Sequence, residues 1–259
     1  MVHSRNLEEF FDRTSPFDAV SRVRLPTAVL DRLSEWTLSD FSRILSIAAF
    51  TNDLNFLGQS TSTLIAAQYL FSASSAKVPT ISHFCNLPRG ENLRGKNTPE
   101  AQASIALAYS LIRQLVESLD FQFTSEVDFE SARFTALDGT LATWSQAMEL
   151  LGDLMDYVST VVFLVVDGLQ WLDDASTDRS LVLLIDVLRG KMSSSKWEGD
   201  KRESAHNRIK ILLTTAGASM VLNEALSCEE LVIMDQLSRR GRQGSGLMDT
   251  EDFGFSMGE

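Results

Sequence analysis

Cysteine is scarce in this chain of 259 residues, which has two. Cys85 and Cys228 stand far apart and neither has a CxxC partner. That argues against a disulfide framework or a cysteine-built zinc site and fits a reducing compartment. Histidine is as sparse: His3, His83 and His206 show no metal-ligand spacing. Positive charge is also short, with 23 Lys and Arg against 35 Asp and Glu, a net charge of −12 and a pI of about 4.7. A general binder of nucleic acid or anionic membrane needs a basic face, and none is evident. The basic cluster at Arg239, Arg240 and Arg242 lies in a Gly-rich tail and reads as solvated. The longest apolar runs reach only strand length, so no transmembrane helix is expected. The N-terminus lacks an apolar h-region, so no signal peptide is expected and a cytoplasmic location follows. Apolar residues make up 44% of the chain, enough for a real core.

Against these absences stands Val161–Asp174, reading VVFLVVDGLQWLDD. Six apolar residues, four of them valine, run into Asp167-Gly168. The run is too short for a membrane span and too β-branched for a typical helix. It reads as a strand buried on both faces, as in a parallel sheet. An acid at the C-terminal end of such a strand sits where open α/β sheets bind ligands. In P-loop NTPases this is the position whose aspartate holds Mg²⁺. A carboxylate that only caps a loop is the alternative reading of Asp167.

The rest of the chain alternates in kind. Strands are expected at Ile44–Phe50, Pro79–Phe84, from Val161, at Ile209–Thr214 and at Leu231–Met234. Helices are expected from Pro26 as a first position, over 62–72, from Pro99 to Leu119, over 141–158, over 177–188 and around Met220–Leu226. Gly190 is a plausible C-cap. Residues 120–139, rich in Phe and acids, look like an irregular insertion, and Lys191–Asn207 like a surface loop. The pattern favours an α/β fold with a doubly wound parallel sheet of about five strands. The expected organisation is flanking helices over 1–35, a core over 36–237 and a disordered tail over 238–259.

A phosphate-binding loop should follow the first strand. There the chain reads TNDLNFLGQSTSTLIAAQYL, starting at Thr51. With Gly58 as the glycine before the lysine, the lysine position holds Gln59 and the hydroxyl position Ser60. Asp53 stands in place of the leading glycine and would put an anion where phosphate should lie. Gln59 supplies no charge to phosphates, which a lysine there would. The functional reading is weak nucleotide binding through Gly58, Gln59, Ser60 and Thr61 at a helix N-terminus. The alternative is a capped strand-to-helix turn that binds nothing. Downstream, Gly90–Asn97 reads GENLRGKN and matches the glycine and lysine spacing. It does not follow a strand directly, and Asn97 replaces the hydroxyl, so it reads as a loop. Beyond Asp167, the positions where catalytic members place acids hold Leu169, Gln170 and Trp171. Asp173 and Asp174 come later and also suit a helix N-terminus. Separately, LGQSTS is similar to a nucleophile elbow, with Ser60 as nucleophile, His83 or His206 as base, and Asp167 or Asp173 as orienting acid. Fewer than 60 residues precede Ser60, and no oxyanion segment does, which weighs against a hydrolase.

Three segments resemble the NTPase domain of fungal STAND proteins of the NACHT kind. They are ILSIAAF with its loop, HFCNLPRG before a helix with SLIRQLVESL, and VVFLVVDGLQWLDD followed by IKILLTTAGAS. The resemblance covers about residues 36–235 and implies a P-loop core with strand order 5-1-4-3-2. It implies a polar sensor at the end of the fourth strand, matched by Thr214 and Thr215, with Ala216 where an arginine would be expected. The departures at Gln59, at Gln170-Trp171 and at Ala216 imply the fold without the hydrolytic activity. The implied cofactors are ATP or GTP with Mg²⁺ at Asp167, or none, and the implied role is a nucleotide-sensing or interaction module. The expected partners are other proteins or a second copy, not nucleic acid or membrane. Relatives continue into further segments, so the chain looks like an isolated or truncated core. A residually active Mg²⁺-dependent ATPase or GTPase is the alternative function.

Overall fold

The structure is a computed structural model, which describes residues 2–11, 24–39, 44–49, 60–88, 93–118, 131–158, 160–190, 209–234 and 247–249. The chain divides into two compact units. One contains Thr14–Phe84, Val161–Gln170 and Ile209–Glu259; the other contains Met1–Arg13, Cys85–Thr160 and Trp171–Arg208.

The first of these units holds the sheet. Its elements are β1 (Arg24–Pro26), α1 (Thr27–Leu38), β2 (Ile44–Ala49), α2 (Thr61–Ser75), β3 (Thr80–Phe84), β4 (Val162–Asp167), β5 (Ile209–Ala216), α7 (Met220–Ala225), β6 (Leu231–Ile233) and β7 (Leu247–Asp249). The helices between β3 and β5 in the chain belong to the other unit. Five strands pair in the order β3-β4-β5-β2-β6, and every pairing is parallel. Counting these five strands in chain order and reading from the β6 edge, the order is the expected 5-1-4-3-2. The fold is therefore α/β with an all-parallel sheet, and its order is that expected of a P-loop NTPase-like core. Within the segment expected to be a disordered tail, β7 pairs antiparallel with β1.

Every residue of β2 and β4 is buried, as is all of β5 up to Thr215. Strands buried on both faces need continuous apolar runs, which is why these three do not alternate in sequence. On one face Leu45, Ile47, Phe163, Val165 and Leu212 pack with Val29, Leu33 and Trp36 of α1 and with Leu64, Ile65 and Tyr69 of α2. Each large side chain fully buried in this way contributes roughly 1.5–3 kcal/mol. The rings of Trp36, Tyr69 and Phe163 meet at centroid separations of 5.3 to 6.3 Å. Lys210, buried in β5, donates its Nζ to the carbonyls of Trp36 and Ser39. A cation on the last carbonyls of a helix suits the negative end of its dipole, so Lys210 ties the C-terminus of α1 to the sheet.

Several boundaries differ by one to three residues from those expected for this unit. β5 runs two residues past Thr214, because Thr214 and Thr215 stay in register with Ile47 and Ala48 of β2. Pro26 ends β1, and α1 starts at Thr27. α2 extends to Ser75, beyond the expected end at residue 72.

The other unit is helical: a 3-10 segment at Val2–Phe10, then α3 (Pro99–Ser118), α4 (Ser131–Thr135), α5 (Trp144–Asp156) and α6 (Asp178–Leu188). The 120–139 region, expected to be irregular throughout, contains α4, which buries Phe134. The helix expected over 141–158 begins as a 3-10 turn at Leu141–Thr143, capped by the Thr140 side chain, before α5. Arg113 of α3, nearly fully buried, bonds Glu8 and Ser4 of the N-terminal segment and pairs with Glu117 on its own helix. Gly190 closes α6 with φ of +76°, as a helix C-terminus favours.

Candidate functional site at the end of β4

Asp167 is the last residue of β4 and only 6% exposed. Its register partner on β5 is Thr214, which is fully buried. The Thr214 hydroxyl donates to Oδ1 of Asp167 at 2.7 Å. Thr63 of α2 donates its hydroxyl to Oδ2 at 2.6 Å. The Gly168 amide donates to the Thr214 carbonyl at 2.9 Å, and Gly168 takes φ of +86°. A side chain is disfavoured at that angle, so glycine lets the chain turn sharply off the strand end.

The first turn of α2 is made of hydroxyl residues. Ser60 is its N-cap, and its Oγ accepts the Thr63 amide at 3.2 Å. The same oxygen lies 2.7 Å from Ser62 Oγ and 2.9 Å from Thr63 Oγ1. Thr63 has one hydroxyl proton, and Asp167 takes it, so Thr63 accepts from Ser60. The result is a run of hydroxyls ending on one carboxylate. Burial pushes the Asp167 carboxyl above its ordinary range; the hydroxyls of Thr63, Thr214 and Ser62 and the Gly168 amide pull the other way. Desolvation is the larger effect because the donors are neutral.

Thr61 opens α2, and Thr215 sends its hydroxyl to the Gly217 carbonyl at 2.7 Å. Gly58, Gln59 and Asp53 lie outside the described residues. From α2 the hydroxyls of Thr63 and Ser62 reach Asp167, whereas Ser60, the hydroxyl position of the motif alignment, caps the helix. The reason is helical register: Ser60 is spent on capping, and the residue three positions on is the one turned to the strand end. The spacing of an N-cap serine to a hydroxyl at the third helical position was the available signal.

The downstream GENLRGKN segment does not form a phosphate loop among its described residues. Asn97 donates its side-chain amide to the Gly139 carbonyl at 3.0 Å, and the Arg94 guanidinium bonds the Glu9 carbonyl and covers the Phe10 ring. α3 starts only at Pro99. Asp174 accepts from Ser176 at its amide and hydroxyl, which holds the turn before α6 and lowers its carboxyl pKa. Ser60 is hydrogen-bonded to Ser62 and Thr63, so no imidazole serves it among the described residues. His83, on β3, is pushed down to about 4 by burial. His206 lies outside the described residues.

Among the described residues no cluster of three or more His, Cys, Asp or Glu could hold a metal ion. Mg²⁺ does not need one, since it binds through one or two carboxylates with substrate phosphates and water. A carboxylate beside a helix-borne hydroxyl is a hard-oxygen set that fits it.

No protein-family model matches the sequence, and no curated protein matches it. Among solved structures, one similar chain is the Orc1 protein of Aeropyrum pernix, solved in complex with DNA. The identity is 11% over 88% of this chain and the TM-score is 0.40. The match spans 52% of that chain, about half its length. Among the described residues no helix is long and apolar enough to cross a membrane.

Proposed function

We propose that this chain is a degenerate STAND/NACHT-like P-loop NTPase domain, a nucleotide-sensing or interaction module that does not hydrolyse its ligand. The observation that carries this reading is the buried Asp167, held between Thr63 of α2 and Thr214 of β5 at the C-terminal edge of a parallel sheet. Ligands of open α/β sheets bind at that edge. In this reading Asp167 and Thr63 hold Mg²⁺, Ser60 and Thr61 present the N-terminus of α2 to phosphate together with Gly58 and Gln59, and Thr214 and Thr215 act as the polar sensor. Mg²⁺ supplies charge neutralisation to the phosphates. Leu169, Gln170 and Trp171, none of them a base, come after Gly168 at the strand end. The net charge of −12 supports protein partners or a second copy over nucleic acid.

Calorimetric titration with ATP, ADP, GTP and GDP in the presence of Mg²⁺ tests the reading. Weak saturable binding that needs Mg²⁺ and is lost in Asp167→Ala is expected. No heat with any of the four nucleotides leaves only the interaction role, to be sought by light scattering across a concentration series.

A further inference from the structure

The segment Val2–Phe10 is a 3-10 run of nine residues, and such runs seldom persist beyond three or four on their own. Its shape therefore comes from what it lies on, which within the helical unit is α3, α4 and the turn at Gly139. Leu7 is fully buried and Ser4 nearly so. Arg113 of α3 donates Nε and Nη2 to Glu8 Oε1 at 3.0 and 2.9 Å, and Nη1 to Ser4 Oγ at 2.9 Å. Asn6 donates its side-chain amide to the Phe134 carbonyl of α4 at 3.2 Å. Arg94 bonds the Glu9 carbonyl, stands 3.7 Å from the Glu9 carboxylate and covers the Phe10 ring at 4.6 Å. Phe10 meets Tyr109 edge-on at 5.1 Å, and a methyl at Gly139 would stand 2.2 Å from Phe10 Cε1, so glycine leaves the ring its seat. Arginines reading consecutive acids, with a seat for the aromatic that follows, make up a peptide-recognition surface. Arg113 also pairs with Glu117 on its own helix, so the buried cation keeps a partner when Glu8 leaves.

We propose that residues 4–10 are a detachable peptide ligand, that α3, α4 and the Gly139 turn form its groove, and that a second copy of the chain supplies the same segment when the groove is vacated. The segment that fills the groove is this chain's own, so a second copy carries the matching Glu8, Glu9 and Phe10, and exchange keeps every bond. The segment belongs to the helical unit, while the chain from Thr14 belongs to the sheet unit. Residues 12–23 make the connection to β1, and twelve residues reach at most about 40 Å, enough to pass a segment to a neighbouring molecule.

The test cuts the folded full chain at a protease site placed within residues 12–23 and adds a fluorescent synthetic peptide of residues 1–13. Dilution should release the cut segment with the circular dichroism of the remainder retained. The peptide should then bind saturably, and at least about 10-fold more weakly to the uncut chain, where the tethered copy competes. A peptide carrying Glu8→Gln and Phe10→Ala should also lose about 10-fold or more. A cut segment that never exchanges, or unfolding on its release, overturns the proposal by making the segment part of the core. Equal binding to cut and uncut chains, or of the two peptides, overturns the groove. The second copy is tested by shortening the connection at 12–23 until the segment no longer reaches its own groove. Light scattering should then show a dimer that the unlabelled peptide splits; any other outcome overturns the second copy as the source.

Discussion

Asp167 carries opposing demands. Its two oxygens accept from Thr63 and Thr214, which favours the carboxylate, while burial disfavours it more. With the folded pKa raised above the ordinary carboxyl value, protonation stabilises the fold. That stabilisation is complete below the unfolded pKa and is lost as pH rises through the folded value. Once ionised, the group is therefore a net cost in the free protein. Asp167→Asn should melt at or above the wild type at pH 7, by a few degrees, and the gap should close as pH falls toward 4. Differential scanning fluorimetry across pH measures this, and a wild type more stable than the variant at pH 7 would contradict the sign. Thr63→Val removes one donor from the same carboxylate. Hydrogen bonds to charged groups contribute about 1.5–3 kcal/mol, so chemical denaturation should show a loss of that order. Asp167 as a strand-end acid was legible in the sequence, because it terminates a valine-rich run, whereas Thr214 entered only as the polar sensor that the resemblance implies. Thr63 was missed, because the motif alignment stops at Ser60 and counts residues along the chain without regard to which face of the helix turns inward.

α2 ties the sheet to the site. Leu64, Ile65, Tyr69 and Leu70 seat it on the strands, while Ser60, Ser62 and Thr63 crowd its first turn. The apolar seat fixes where that turn points. Ser60→Ala should cost about 1 kcal/mol through the lost N-cap. It should also weaken any nucleotide affinity, because the run of hydroxyls toward Asp167 starts there. A urea midpoint unchanged within error would show that Ser60 does not cap α2 in solution. The same scale explains the misjudged stretch at 120–139: α4 has only five residues, too short for a helical period to stand out, and its Phe134 is buried by tertiary contact rather than by any local pattern.

For the whole molecule, the decisive expectation is catalytic silence. No acid occupies the three positions after Gly168, and the motif alignment puts Gln59 where a lysine would stand. Loss of charge stabilisation of that kind costs several kcal/mol of barrier, or orders of magnitude in rate. The wild type should show no ATP or GTP turnover above buffer in a coupled phosphate assay. Phosphate release that disappears in Asp167→Ala would instead establish a residually active Mg²⁺-dependent NTPase.

The sequence by itself determined the class of fold. Apolar runs too short for membranes and too continuous for one-sided strands require a parallel sheet buried on both faces, and their alternation with helices orders the chain. The same runs placed Asp167 at a strand end, because the run stops where the charge begins. Only the tertiary structure decided which side chains meet that carboxylate. Thr63 lies 104 positions from Asp167 and Thr214 lies 47. Their convergence depends on strand order, register and the seating of α2, which are set by packing between distant segments and leave no periodic trace in the chain.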